Sequence, residues 1–188
     1  MNKRIDPSSI GRQKPIKAHR WPRDPNDYYI EEKWCSTRLF EELSFEGAIH
    51  DPACGSGRII EAARAAGYEA HGTDKIRRTP LCEEELDFLE GWPPHRQPPD
   101  NIARNPPFRI AKAFIMRALV LCRRKTAMLL PLKCLGGAKR SRWLEQLPLT
   151  QVLTMTPRPS MPPGSLIEAG MKPGGGKEDC LVRLRART

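Results

Sequence analysis

No two of the six cysteines form a C-x-x-C pair; Cys35, Cys54, Cys82, Cys122, Cys134 and Cys180 are scattered singly along the chain. That spacing excludes a zinc cluster or a disulfide framework and fits reduced thiols. No apolar run approaches the roughly eighteen residues that a membrane-spanning helix needs. The opening Met1-Asn-Lys-Arg4 runs into polar, Pro-rich sequence without the apolar stretch of a secretion leader, so a cytoplasmic protein is expected. Acidic residues are in deficit, 22 Asp and Glu against 32 Lys and Arg, which leaves a formal net charge of +10. The excess points to a polyanionic partner, nucleic acid first; the alternative is a surface that is merely well solvated.

What is present is enough for one buried core. A chain of 188 residues, 39% hydrophobic and 29% charged, has the make-up of a single globular domain, and 19 prolines with 14 glycines predict long irregular connections. Residues 1–26 carry Lys3, Arg4, Arg12, Lys14, Lys17, Arg20 and Arg23 among four prolines, a basic arm with little to bury, ahead of one domain over 27–188. Trp34, Leu39, Phe40 and Leu43 recur near helical spacing, which predicts one or two helical turns with Ser36 or Thr37 as an internal cap.

Next come a short strand over 48–51, a glycine loop, an alanine-rich helix over 58–66 stopped by Gly67, and a strand over 68–73 closing at Asp74. This is a βαβ unit, hence an α/β fold with a parallel sheet. An acidic helix around 81–86 and an abbreviated strand at Phe88-Leu89 are expected to follow. Strand 101–104, a buried helix over 111–122, strand 126–132, helix 138–147 and strand 150–156 continue the alternation. A Pro/Gly-rich connection over 157–177 then leads to a last strand at 179–184.

The glycine loop reads Asp51-Pro52-Ala53-Cys54-Gly55-Ser56-Gly57. Glycines are needed where the backbone turns tightly and a ligand lies against it. The third glycine of a dinucleotide fingerprint is missing, because Ile60 stands in its place, and there is no G-x-x-x-x-G-K-[ST] run, so neither NAD nor ATP fits. Asp74, at the end of the next strand, is placed to accept the ribose hydroxyls of a nucleoside; alone it would equally serve as a strand-end cap. Cys54 has no neighbouring base in sequence and is assigned as loop filler, with no role as a nucleophile.

At the end of a later strand stands Asn105-Pro106-Pro107-Phe108. Two prolines fix the backbone and remove two donors, leaving carbonyl oxygens as acceptors. A planar amino group held by the Asn105 side-chain carbonyl and the Pro106 main-chain oxygen would present its lone pair to an incoming methyl group, with Phe108 stacking on the base. The structural alternative is a strand-to-helix turn with Asn as cap and Phe in the core.

The glycine loop, Asp74 and Asn105-Pro106-Pro107-Phe108 together resemble the successive motifs of the Rossmann-like amino-methyltransferases, especially the N6-adenine DNA methyltransferases, over roughly residues 28–186. The resemblance implies a class I fold, mostly parallel, with helices on both faces and an antiparallel last strand. It implies S-adenosylmethionine as cofactor: Asp51 to Gly57 would wrap its methionine part, Asp74 its ribose, and Asp87-Phe88, similar to a further Asp-Phe motif, its adenine. Tyr28 and Tyr29 stand where the family has an N-terminal motif, but Ile30-Glu31 replaces the usual Thr-Pro.

The implied activity is methyl transfer to an exocyclic amine, N6 of adenine in DNA, with RNA bases, protein glutamine, or a catalytically silent nucleic-acid-binding subunit as alternatives. No stretch between Asp74 and Asn105 or after Leu184 is large enough for a target-recognition region. Specificity is therefore expected to be weak, loop-borne, or supplied by a partner or a second copy. The arm at 1–26, Lys139-Arg140-Ser141-Arg142 and the loop 157–177 are the candidate phosphate contacts.

Overall fold

The computed structural model describes residues 24–136, 138–171 and 179–185. Most of the basic arm and the end of the 157–177 connection lie outside the described residues. Seven strands form one sheet in the order β3-β2-β1-β4-β5-β7-β6. The strands are β1 (Ile49–Asp51), β2 (Ala70–Asp74), β3 (Glu84–Glu85), β4 (Asn101–Arg104), β5 (Lys125–Pro131), β6 (Leu149–Thr154) and β7 (Asp179–Arg185). Pairing is parallel from β3 through β5, and β7 runs antiparallel to both β5 and β6.

The sheet is covered on both faces, as its residue alternation requires. Ala127 and Leu129 of β5 join one core with α1 (Lys33–Glu42) and α2 (Arg58–Ala65), while Met128 and Leu130 join a second core with α3 (Ala111–Leu121). Ile102 and Ala103 of β4 divide between the two cores in the same way. The helix after β1 stops where glycine permits it: Gly67 sits at φ +88°, and Tyr68 N bonds back to Ala63 O.

Several expectations are corrected. The stretch 81–86 is extended where an acidic helix was expected; Glu83 N and Leu86 N bond to Gly72 O and Asp74 O, and β3 stands on the edge beside β2. The sequence hides the reason, because the carboxylates take their cations from a distant turn: Arg96 donates to Glu84 at 2.8 Å and to Glu83 at 3.0 Å. Phe88-Leu89 lies in a turn and forms no strand. Helix α1 has ten residues and no side-chain cap; Ser36 donates instead to Glu31, and Thr37 to Lys33 O. The helix after β5 is α4 (Ala138–Leu144), and the connection beyond β6 contains a short helix, α5 (Gly164–Glu168), that its Pro/Gly content conceals.

Gly72 lies inside β2 at an ordinary strand φ, where replacing glycine usually stabilises. Here a methyl group would press into Ile60 Cδ1 and stand 2.9 Å from Cys54 Cβ, which anchors the glycine loop. Gly72→Ala is therefore expected to lower stability by about 1–3 kcal/mol, as overpacking does. The midpoint of denaturant unfolding measures it, and an unchanged midpoint would contradict this account of the packing.

Candidate active site

Strands β1 and β4 are neighbours at the point where the strand order reverses, with Ile49 opposite Asn101 and His50 opposite Ile102. Open α/β sheets form their crevice there, beyond the carboxyl ends of the strands. The glycine loop leaves β1 at Asp51 and the Asn105 segment leaves β4 at Arg104, so the topology sets the two sequence motifs side by side. Arg104 joins them directly, its guanidinium lying 3.3 Å from Asp51 Oδ1.

The loop turns through two glycines in left-handed conformation, Gly55 at φ +53° and Gly57 at φ +85°. Cys54 N donates to Thr73 O at 2.9 Å, and Gly57 N to Cys54 O at 2.7 Å. A Cβ on Gly57 would stand 2.7 Å from Leu81, and one on Gly55 would stand 3.1 Å from the Tyr28 ring. Pro52 is buried and Ala53 partly so; the Ala53 amide donates to Asp51. Cys54 is buried and its thiol is pushed up by desolvation.

The sequence motifs contain three carboxylates, Asp51, Asp74 and Asp87. Asp51 is 1% exposed; its Oδ1 accepts from Ala53 N and Arg104, and its Oδ2 has no partner among the described residues. Asp74 is also buried, and it already holds the loop: Oδ2 accepts from Gly55 N at 2.7 Å, while Oδ1 accepts from Ile76 N at 3.1 Å and Arg78 at 3.3 Å. Asp87 accepts from Lys75 at 2.8 Å and Leu89 N at 3.0 Å, and the ammonium beside it holds its carboxyl low. Phe88, the other residue of that pair, is packed into the core. It is 1% exposed and packs on Phe114 with ring centroids 5.4 Å apart, so it offers no open face to a ligand.

Asn105 is 4% exposed. Its Nδ2 faces three acceptors: Glu31 Oε2 at 2.9 Å, Tyr29 O at 3.3 Å and Met161 Sδ at 3.7 Å. Pro106 is buried, whereas Pro107 and Phe108 are half-buried, Phe108 leaning on the first core. The segments on either side of the site are stitched together by Ile30 N to Pro162 O and Gly164 N to Tyr28 O. Tyr28 lies across Gly55 and Gly164, under the Arg78 guanidinium at 4.3 Å, and its hydroxyl donates to Glu168 at 3.0 Å. Sequence reasoning missed Glu31, Met161 and Arg104. Glu31 alone left a signal, as a departure from the family pattern.

Burial, offset only in part by Arg104, pushes the Asp51 carboxyl up to about 7 from 3.8. Between those values the folded protein holds a proton that the unfolded chain releases, so this group favours folding most in acid and less as pH rises through 7. His50, bonded to Thr73 and pushed down by burial to about 3, has the opposite sign, but it is common to both proteins in a comparison with Asp51→Asn. The stability of the wild type relative to Asp51→Asn should fall between about pH 5 and pH 8. Urea unfolding at both values checks this, and a pH-independent difference would contradict it.

No family model and no curated protein matches the sequence. Similar solved structures include magnesium protoporphyrin IX methyltransferase from Synechocystis PCC 6803 with bound SAM, 12% identical with a TM-score of 0.54 over 82% of this chain and 79% of that one. Geranyl diphosphate methyltransferase in complex with SAM is 12% identical, with a TM-score of 0.55 over 83% and 86%. A dimethyladenosine transferase from Plasmodium falciparum is 11% identical, with a TM-score of 0.50 over 89% of this chain and 63% of that one. Likeness at such identity speaks for architecture. The chain has the Rossmann-like class I fold of S-adenosylmethionine-dependent methyltransferases, with its last strand antiparallel.

Proposed function

We propose that the chain is an S-adenosylmethionine-dependent methyltransferase acting on an exocyclic amino group, N6 of adenine in DNA. The observation that carries this reading is the position of Asn105 beside the glycine loop at the strand-order reversal, with its Nδ2 occupied by protein acceptors. The residues present fit the cofactor. Gly55 and Gly57 supply the left-handed turns of the loop, with Tyr28 and Leu81 packed against them, and Asp51 Oδ2 is a buried acceptor lacking the donor that the cofactor's ammonium group would supply.

Asp74 would accept from the ribose with the lone-pair capacity left after three protein donors, a narrower role than its sequence position implies. Asp87, kept ionised by Lys75, would face the adenine end without help from Phe88. When bound, S-adenosylmethionine supplies a methyl group already activated by its sulfonium, so no covalent enzyme intermediate is required.

The protein's work is then positioning and charge stabilisation. Asn105 Oδ1 and the Pro106 carbonyl would accept from the target amine and offset the positive charge that grows on its nitrogen. The two prolines hold these acceptors rigidly, and the exposed part of Phe108 would stack on a base taken out of its helix. Nucleic acid as partner rests on the net charge of +10 and on exposed Arg109 and Arg158, which adjoin Phe108 and the Ser160-Met161 segment in sequence. An RNA base is the second reading, because the same positive charge would hold RNA phosphates as well as those of DNA.

Incubation with methyl-labelled S-adenosylmethionine and DNA, RNA or protein, followed by digestion, identifies the acceptor; label in none of them would sink the proposal. Asn105→Ala should reduce transfer by about 100-fold or more while calorimetric affinity for the cofactor stays the same. Asp74→Ala should chiefly weaken cofactor binding, because it also releases Gly55 N. An Asn105 variant as active as the wild type would remove that residue from the mechanism.

A further inference from the structure

The geometry points to Glu31 as the positioning residue that sets which end of the Asn105 amide faces the substrate. The inference rests on the methyltransferase reading for its consequence, and on observed contacts for its geometry. An asparagine amide is nearly symmetric in shape, so its orientation is decided by its neighbours. Around Nδ2 they are all acceptors: the Glu31 carboxylate, the Tyr29 carbonyl and the Met161 sulfur. With both Nδ2 hydrogens directed there, Oδ1 is left as the acceptor, and no described residue donates to it.

Glu31 is 6% exposed and fixed from three sides. Its Oε1 accepts from Ser36 Oγ in α1 at 2.9 Å, its Oε2 from Asn105 at 2.9 Å, and its main-chain oxygen from the Arg58 guanidinium at the start of α2. Neither partner of the carboxylate is cationic, so this is an expensive way to gain stability. What a carboxylate supplies that an amide or hydroxyl does not is an unambiguous sign: it is acceptor-only, and it excludes the flipped Asn105 that would turn Nδ2 toward an incoming amine. A flipped amide would repel the amine's hydrogens and destabilise the positive charge formed during transfer.

The test combines kinetics with a readout independent of activity. Glu31→Met should lower kcat by about tenfold or more, the loss of one hydrogen bond to a charged group, with KM for S-adenosylmethionine unchanged. Asn105→Asp sets two carboxylates against each other and should be nearly inactive. Adding Glu31→Gln should recover transfer by about tenfold or more over Asn105→Asp alone, because the glutamine amide donates to the carboxylate introduced by Asn105→Asp while its carbonyl accepts from Ser36. A merely structural Glu31 would move melting temperature without this reciprocal recovery.

In 15N spectra the Asn105 side-chain NH2 pair, assigned by its loss in Asn105→Asp, should be protected from solvent exchange in the wild type and shift in Glu31→Gln, a variant that keeps size and packing. Unchanged kcat in Glu31→Met, no recovery in the double variant, or an unmoved NH2 pair would each overturn the inference. If the wild type transfers methyl to no acceptor, the functional reading fails, while the NH2 signal still decides whether Glu31 holds the amide.

Discussion

The contact on which the site's arrangement depends is the ion pair between Asp51 and Arg104, set at the ends of two adjacent parallel strands. Both groups are largely out of water, Asp51 at 1% and the Arg104 side chain at 12% exposure. Removing one partner of such a pair strands the other, which costs far more than the pair contributes. The pair fixes β1 against β4 where the chain leaves the sheet in two directions, toward the glycine loop and toward Asn105. A slip of one residue in that pairing would exchange the faces of β4, turning Ile102 and Ala103 each toward the other's core.

Around that fixed point the residues expected to bind a ligand also hold the loops in place. Asp74 was legible in sequence as a ribose ligand or a strand-end cap, and it is a brace: the Gly55 amide, the Ile76 amide and Arg78 all converge on it. Tyr28 is equally double-sided, walling the loop at Gly55 while its backbone carbonyl receives Gly164 N. In a site assembled this way, any ligand that meets Asp74 or Tyr28 also meets the contacts that order the loop.

Much of the element order, the parallel sheet, the glycine loop and the Asn-Pro-Pro segment were visible in the sequence, because each is encoded by neighbours a few residues apart; β3 and α5 were not. Periodicity located α2, α3 and β5, and Gly67 marked the end of α2. The failures share a cause. Three consecutive glutamates at 83–85 suit a helix until Arg96 and the β2 backbone offer partners from elsewhere. Phe88 resembles a ligand contact until Phe114 covers it, and Glu31 acquires meaning only when the fold carries Asn105 to it from seventy-four residues away. Contacts closed through long loops leave no local pattern to read.

The placement of β7 has a consequence for how the chain is made. It lies between β5 and β6, and among the described residues β6 pairs with no other strand. While the polypeptide emerges from the ribosome, the outer flank of β5 and the whole of β6 must wait with their backbone groups hydrated until residues 179–185 arrive. The half of the sheet that carries the glycine loop and Asn105 can be assembled earlier, from β1, β2, β4 and β5. Synthesis thus brings out the half of the sheet bearing the glycine loop and Asn105 before β7, and in that interval the nascent chain presents an unprotected β-edge to its surroundings.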